Sequence, residues 1–357
     1  MIIFLYLLKR FLYGLLISII VLTSLDVFFS FTAELKYLNE GTYDFLAISK
    51  YITLNLPKSI TIMFPYAMLI GAMLSLGAMA SDHEFVAMQS AGISVSKIIS
   101  LILIQSFLIS SFFYTISDQI IPEFSSMAET NKNMALNKKI IFQRNGVWFK
   151  DKQSYIKIDE IYSQNHLKNV TKYDYDENHN LIVIHNIKEA TSDGSKWLLK
   201  GVESIYVNKI PVTKEMHDKK FLDNFIDKNL IMIKTDKSES LSLSDVIKNI
   251  SYLEQNNLDS DIQKKIFWEK LFQPFSAVIM LFLALPFIFG KLRSTQTSKR
   301  IIIGLFIGIA FFIVSSILPN LGMILGLTPF INILIPHLIF VYAGNYLLSQ
   351  QLESGLR

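Results

Sequence analysis

Six apolar runs, three on either side of a long polar middle, decide what this chain can fold into. They are Phe11–Ala33, Ile60–Ala80, Lys97–Ile121, Leu271–Phe289, Ile301–Ile324 and Pro329–Leu348. Each holds about 20 residues, enough for a helix to cross roughly 30 Å of hydrocarbon. A bilayer core offers no water to backbone N–H and C=O groups, so runs of this length must satisfy them internally, as helices. The first run follows Lys9-Arg10, as a secretory leader would. It is too long for one and lacks a small-x-small cleavage site, so it reads as a retained span. Pro57 sits just ahead of the second run, Pro65 should kink that run unless neighbouring helices cover the freed carbonyl, and Pro122 closes the third. Gly304 and Gly308 give the fifth a small-xxx-small spacing that allows close helix approach.

The chain as a whole is 51% hydrophobic, an average that conceals two populations. Pro122 to about Trp268 is rich in Lys, Asp, Glu and Asn and has no run able to cross a membrane. After a connecting helix, Glu123–Asn137, come short pieces with strand character: Gly146–Lys150, Ser154–Ile158, Val170–Tyr175, Leu181–Ile187, Lys196–Lys200, Glu203–Asn208 and Leu230–Ile233. Strands this short, separated by polar turns such as Asp193-Gly194, predict an antiparallel sandwich or roll. Leu243–Gln255 reads as an amphipathic helix capped by Ser244. The expected division is residues 1–121 with three spans, 122–268 as an all-β domain, and 269–357 with three more spans.

Short-loop charge sets the orientation. Lys9 and Arg10, Lys97, and the group Lys291, Arg293, Lys299 and Arg300 fall on one side of a six-span chain. The positive-inside rule makes that side cytoplasmic, with both termini on it and the soluble domain on the other, periplasmic side. A net charge of +4 is too small to argue for nucleic acid. The absence of cysteine excludes thiol nucleophiles and Cys-held metals. The chain has no Walker A sequence, no H-E-x-x-H and no nucleophile elbow. Energy for active transport would therefore come from a partner or an ion gradient, and neither a cofactor nor a metal site is expected.

The most informative short loop is the second-to-third. Ser81-Asp82-His83-Glu84 precedes an apolar stretch containing Met88, and Gly92 closes it. Ser81 and Glu84 fit a capping box, and Gly92 suits the left-handed residue that ends a helix. A surface helix over about residues 81–93 follows, either a plain re-entry turn or a docking helix for a soluble motor. Asp26 lies deep in the first span, where a charge costs several kcal/mol unless it faces protein or a wet cavity. Asn332 and His337 in the sixth are expected to make helix–helix hydrogen bonds.

Together these residues resemble a known family. Leu56-Pro57, Phe64-Pro65, Gly71-Ala72, Leu76-Gly77, Glu84, Met88-Gln89 and Gly92 look like the LptF/LptG permeases of lipopolysaccharide export. Phe272-Gln273-Pro274, Ala284-Leu285-Pro286-Phe287 and Leu292-Arg293-Ser294 are nearer the LptG branch than the LptF branch, and the likeness covers essentially the whole chain. The resemblance implies a membrane α-helical fold of six transmembrane helices with an inserted periplasmic β-jellyroll-like domain. It also implies a non-catalytic permease subunit in the inner membrane, paired with an LptF-type permease and bound to an LptB-type cytoplasmic ATPase. Lipopolysaccharide would pass through a lateral gate made by spans one and five, then to LptC-type and LptA-type periplasmic proteins. By position, the coupling helix then comprises Ser81, Asp82, Glu84, Met88 and Gly92, with Glu84 on the family's acidic residue. The gate and lipid cavity would draw on Asp26, Phe31, Lys36, Arg300, Phe306, Ile309 and Phe312. Where relatives carry a lysine just before Phe31, this chain has Ser30, and Lys36 is the alternative cation. The competing readings are a proton-coupled secondary transporter using Asp26 and a membrane-anchored periplasmic scaffold.

Overall fold

The computed structural model describes residues 2–136, 147–151, 153–163, 165–176, 178–192, 196–208, 211–223, 225, 241–289 and 297–355. They fall into two compact units. One comprises Met1–Glu34, Ile52–Ser125 and Lys264–Arg357, and the other Leu35–Tyr51 and Ser126–Gln263.

The first unit is helical. It is built from α1 (Ile2–Glu34), α2 (Phe45–Ser81), α3 (Glu84–Ser90), α4 (Val95–Ala135), α6 (Asp261–Phe289), α7 (Thr297–Ile324) and α8 (Pro329–Gly355), except for the start of α2, the end of α4 and the start of α6, which belong to the second unit. Six of these are long and apolar enough to cross a membrane, which matches the six runs read from the sequence. The helices outrun those runs at their polar ends. α1 starts at Ile2 because Ile2–Leu8 continue the apolar run, and Lys9 and Arg10 are good helix formers that do not interrupt it. α2 starts at Phe45, where Asp44 Oδ1 accepts from Ala47 N at 2.8 Å, the bond of an N-cap. Pro57 is therefore inside α2 and not at its start, and the helix also continues through Pro65. α4 likewise passes through Pro122, so Glu123–Ala135 extends the third span and is not a separate connector. A long helix held by its own hydrogen bonds on both sides can lose the one bond that proline removes.

α1 and α2 cross backbone against backbone. A Cβ on Gly14 would stand 2.6 Å from the Gly71 carbonyl oxygen and 2.7 Å from Ser75 Cβ. A Cβ on Gly71 would stand 2.8 Å from Leu15 Cα, so the two backbones are in contact. Around this crossing Leu7, Phe11, Leu15, Phe64, Met68, Ala72, Ile98, Met280 and Ala284 form a buried core. The Phe64 ring stacks on Phe113 of α4 at 4.0 Å. Gly304 lies against Met73, and Gly308 against Tyr66 and Met280, so the small pair on α7 does admit close approach to α2 and α6. Asp118 and Lys270 pair at 3.0 Å between α4 and α6.

In the second unit, β1 (Val147–Asp151), β2 (Ser154–Ser163), β3 (His166–Tyr175), β4 (Leu181–Ser192), β5 (Lys196–Tyr206) and β6 (Thr213–Asp223) form one antiparallel sheet in sequence order. A crease runs across it. The ladder skips the pairs that would join Asp159, Asn169, Lys188, Gly201 and Asp218, one residue per strand from β2 to β6. Asn169 and Gly201 on this line are left-handed, with φ of 52° and 63°. Side chains three apart on a regular strand point to opposite faces. Here Ile158 and Ile161, Leu167 and Val170, Ile187 and Ala190, and Leu199 and Val202 straddle the crease and all enter one core. The crease resets the phase, so both arms of these strands face one core. Left-handed backbone costs any residue with a Cβ about 1–2 kcal/mol. Gly201→Ala should destabilise the sheet by about that much, read as faster amide hydrogen exchange in β4 and β5 of the full-length protein. Unchanged protection would show that the crease does not need a glycine.

The two expected pieces Lys196–Lys200 and Glu203–Asn208 are thus the arms of one strand, β5, bent at Gly201. Asp174 on β3 helps hold β2, β3 and β4 together, taking Ser154 Oγ at 2.5 Å and His185 Nε2 at 3.3 Å. Burial pushes its pKa up, but hydrogen bonds from His185, Ser154 and Lys172 outweigh this and hold the carboxyl below its usual range. The helix α5 (Leu243–Gln255) covers the β1 edge. The Tyr252 hydroxyl accepts from Lys150 N at 3.1 Å and donates to Lys150 O at 2.6 Å. Its cap is Ser242, whose Oγ accepts from Asp245 N, and not Ser244, which instead meets Ser242 Oγ at 2.9 Å. The pieces at Gly146 and Leu230–Ile233 lie outside the described residues.

Candidate functional site

α3 is a two-turn helix between α2 and α4. The expected capping box does not form. Ser81 ends α2 and donates its hydroxyl to the Gly77 carbonyl at 3.1 Å, while the N-cap position is His83, left-handed at φ 60° with no side-chain cap. Glu84, freed from capping, faces α1. Tyr6 donates its hydroxyl to Glu84 Oε2 at 2.7 Å, and Arg10 Nη2 donates to Oε1 at 3.1 Å. Arg10 Nε and Nη2 also reach the Tyr6 oxygen at 3.1 Å. Tyr6 and Arg10 are four apart, so both project from one face of α1. The side chains of Arg10 and Glu84 are 53% and 21% exposed, so solvent screens the pair and it adds little to stability.

The opposite side of α3 is anchored by packing. Phe85 is buried, with its ring centroid 4.7 Å from that of Phe289 on α6, and Met88 packs on the helical core. Gly92 takes φ 87°, and the bonds Gly92 N to Gln89 O and Ile93 N to Met88 O close the helix as the left-handed end expected there. Asp82, His83, Val86 and Gln89 remain exposed. The result is a short helix fixed on one side to α1 and α6, with its other side open to solvent.

The remaining candidates lie elsewhere. Asp26 is half-buried on α1 and meets no ion-pair or hydrogen-bond partner among the described residues, so the helix–helix polar contact considered for it is not seen. Phe31 is half-buried near the end of the same helix. Phe306, Ile309 and Phe312 share an exposed stripe of α7. Arg300 is in the first turns of α7, and its side chain is outside the described ones. Lys36 belongs to the other unit, with its Nζ 4.7 Å from the Tyr37 ring, over which Lys132 Nζ also sits at 4.8 Å. His337 does make a helix–helix bond, its Nε2 2.7 Å from Ser276 Oγ on α6 while Nδ1 meets the Ile333 carbonyl at 2.7 Å. Asn332 bonds the Leu327 carbonyl in the turn before its own helix.

Tyr6, Phe85, Phe289 and Lys132 were not singled out by sequence reasoning, and Arg10 was read there only as a topology charge. The aromatic and cation at Tyr6 and Arg10, one turn apart, were the one available signal.

Six apolar helices with a creased antiparallel sheet inserted between the third and the fourth define a multi-pass membrane protein with an inserted β domain. Within that class, residues 5–350 match the family described as lipopolysaccharide export system permease LptF/LptG, and the chain belongs to it. It is 30% identical over 349 residues to the lipopolysaccharide export system permease protein LptG of Haemophilus influenzae, covering 97% of this chain and 98% of that protein. It is 27% identical over 341 residues to the LptG of Escherichia coli K12, covering 94% of each.

Proposed function

We propose that this chain is the transmembrane permease subunit of an ATP-driven lipopolysaccharide exporter, the LptG-type half of a pair with an LptF-type permease. The observation that carries the reading is the match to lipopolysaccharide export permeases along nearly the whole chain. α3 with its flanking turns, residues 81–93, is the coupling helix, with Ser81, Asp82 and Glu84 at the end that meets an LptB-type cytoplasmic ATPase, Glu84 joining it to α1, and Met88 and Gly92 fixing its inner side and its end. The chain itself catalyses nothing; hydrolysis belongs to that partner. It sits in the inner membrane with both termini cytoplasmic and residues 122–268 periplasmic, as the basic short loops favour. There the β domain would hand lipid to LptC-type and LptA-type proteins. Asp26 and Phe31 on α1, with Arg300, Phe306, Ile309 and Phe312 on α7, form this subunit's part of the gate and cavity. The apolar stripe of α7 suits acyl chains. Lys36, next to Lys132 over Tyr37, supplies the cation for a lipid phosphate that Ser30 does not.

The test is reconstitution of the chain with its permease partner and ATPase in liposomes containing lipopolysaccharide. ATP-dependent transfer of the lipid to a soluble periplasmic acceptor is the expected result. Purified protein that brings down no ATPase, or transport that needs a pH gradient instead of ATP and is lost in Asp26→Asn, would replace this reading. The solitary carboxyl of Asp26 is what makes the second outcome worth measuring.

A further inference from the structure

The proposed coupling helix touches more than the motor it would serve. Both oxygens of Glu84 are engaged by α1, one by the Tyr6 hydroxyl and the other by Arg10. Arg10 in turn donates to the Tyr6 oxygen, which closes a three-membered cluster. α3 is joined along the chain to α2 and α4 by turns, Asp82-His83 on one side and Ala91 to Ser94 on the other, and both turns contain a left-handed residue. Phe85 ties α3 to Phe289 at the end of α6. The Tyr6–Arg10–Glu84 cluster ties it by side chains to a different helix, one that is otherwise distant in sequence.

We propose that Tyr6 and Arg10 are positioning residues that clasp α3 to the first turns of α1, so that displacement of α3 by a nucleotide-driven partner moves α1 directly. This rests on the function proposed above. α1 is also the helix whose backbone meets α2 at Gly14 and Gly71, so a push delivered at Arg10 enters a tightly packed pair and not a loose strand of chain. The Gln105 side chain donates to the Phe4 carbonyl at 2.6 Å, which makes the same end of α1 a second contact point for α4. The clasp is exposed and polar, whereas the fold around it is held by the buried core. Its loss should therefore change the transmission of motion and leave assembly alone.

The experiment uses the reconstituted complex with Tyr6→Phe, Arg10→Ala and Arg10→Lys. Tyr6→Phe and Arg10→Ala should leave the yield of complex with ATPase unchanged while lowering lipid released per ATP hydrolysed three-fold or more. Arg10→Lys, which keeps the charge, should recover part of the coupling. Because the chain has no cysteine, spin labels can be placed on single introduced cysteines at Leu16 on α1 and Gln89 on α3. Their separation should stay narrow through the nucleotide cycle in the parent and broaden in Arg10→Ala. If the parent complex exports lipid but the variants keep its lipid-to-ATP ratio and a narrow label distance, the clasp is refuted and the function stands. If the parent neither binds the ATPase nor exports, the underlying function fails instead.

Discussion

Glu84→Arg is expected to lower ATP-driven lipid export at least ten-fold, the largest single-residue effect outside the helix core. The substitution removes the acceptor for both the Tyr6 hydroxyl and Arg10, and it sets a second guanidinium beside the first. Any basic residue of a docked ATPase would face the same reversal, and like charges brought together at an interface cost several kcal/mol. Ten-fold corresponds to about 1.4 kcal/mol, so the loss of docking alone suffices for the predicted drop. Glu84→Gln should be milder, since the amide oxygen can still accept from Tyr6 or Arg10. Two measurements separate the contributions: the amount of ATPase that copurifies, and lipid released per ATP by the complex that does form. Wild-type values of both in Glu84→Arg would remove Glu84 from the coupling site.

The six helices were legible because a span must be apolar over its whole length, a requirement that composition alone displays. Their ends were not. Lys9-Arg10, Pro57 and Pro122 look like boundaries in the sequence, yet all three are helical, because a long hydrogen-bonded helix carries a charge pair or a proline without breaking. In the sheet, strands whose inner side chains alternate were found, although β5 was split at Gly201, where a left-handed glycine imitates a turn. β6 is not legible in the sequence. Its sequence Thr213–Asp223 is largely exposed, so no alternation marks it as a strand. The site shows the same division. Gly92 was readable because its left-handed backbone is a local property. The partner of Glu84 was not, since Tyr6 and Arg10 lie more than 70 residues away along the chain. A local rule offered Ser81 in their place, and tertiary contact overrode it.

Gly14 reverses the usual sign of a helix substitution. In an ordinary helix interior, glycine is about 0.8–1.0 kcal/mol less favourable than alanine, so Gly→Ala should stabilise. At Gly14 the added methyl would stand 2.6 Å from the Gly71 carbonyl oxygen and 2.7 Å from Ser75 Cβ, both on the facing backbone or next to it. Neither can swing aside as the end of a long side chain would. Overpacking of a close-packed core costs typically 1–3 kcal/mol, which exceeds the propensity gain. Gly14→Ala is therefore expected to lower thermal stability of the detergent-solubilised protein, and Gly14→Leu to prevent its accumulation in the membrane. Gly308 supplies the comparison on another helix. Its nearest neighbour to an added Cβ is Tyr66 Cδ1 at 3.4 Å, an ordinary contact, so Gly308→Ala should be neutral or stabilising. Helix association in a bilayer depends on close packing and not on hydrophobic burial, so forcing α1 from α2 loses the contact that holds them together. Equal stability of Gly14→Ala and Gly308→Ala would show that the α1–α2 crossing yields easily, and with it the tight pair through which a push on α1 would travel.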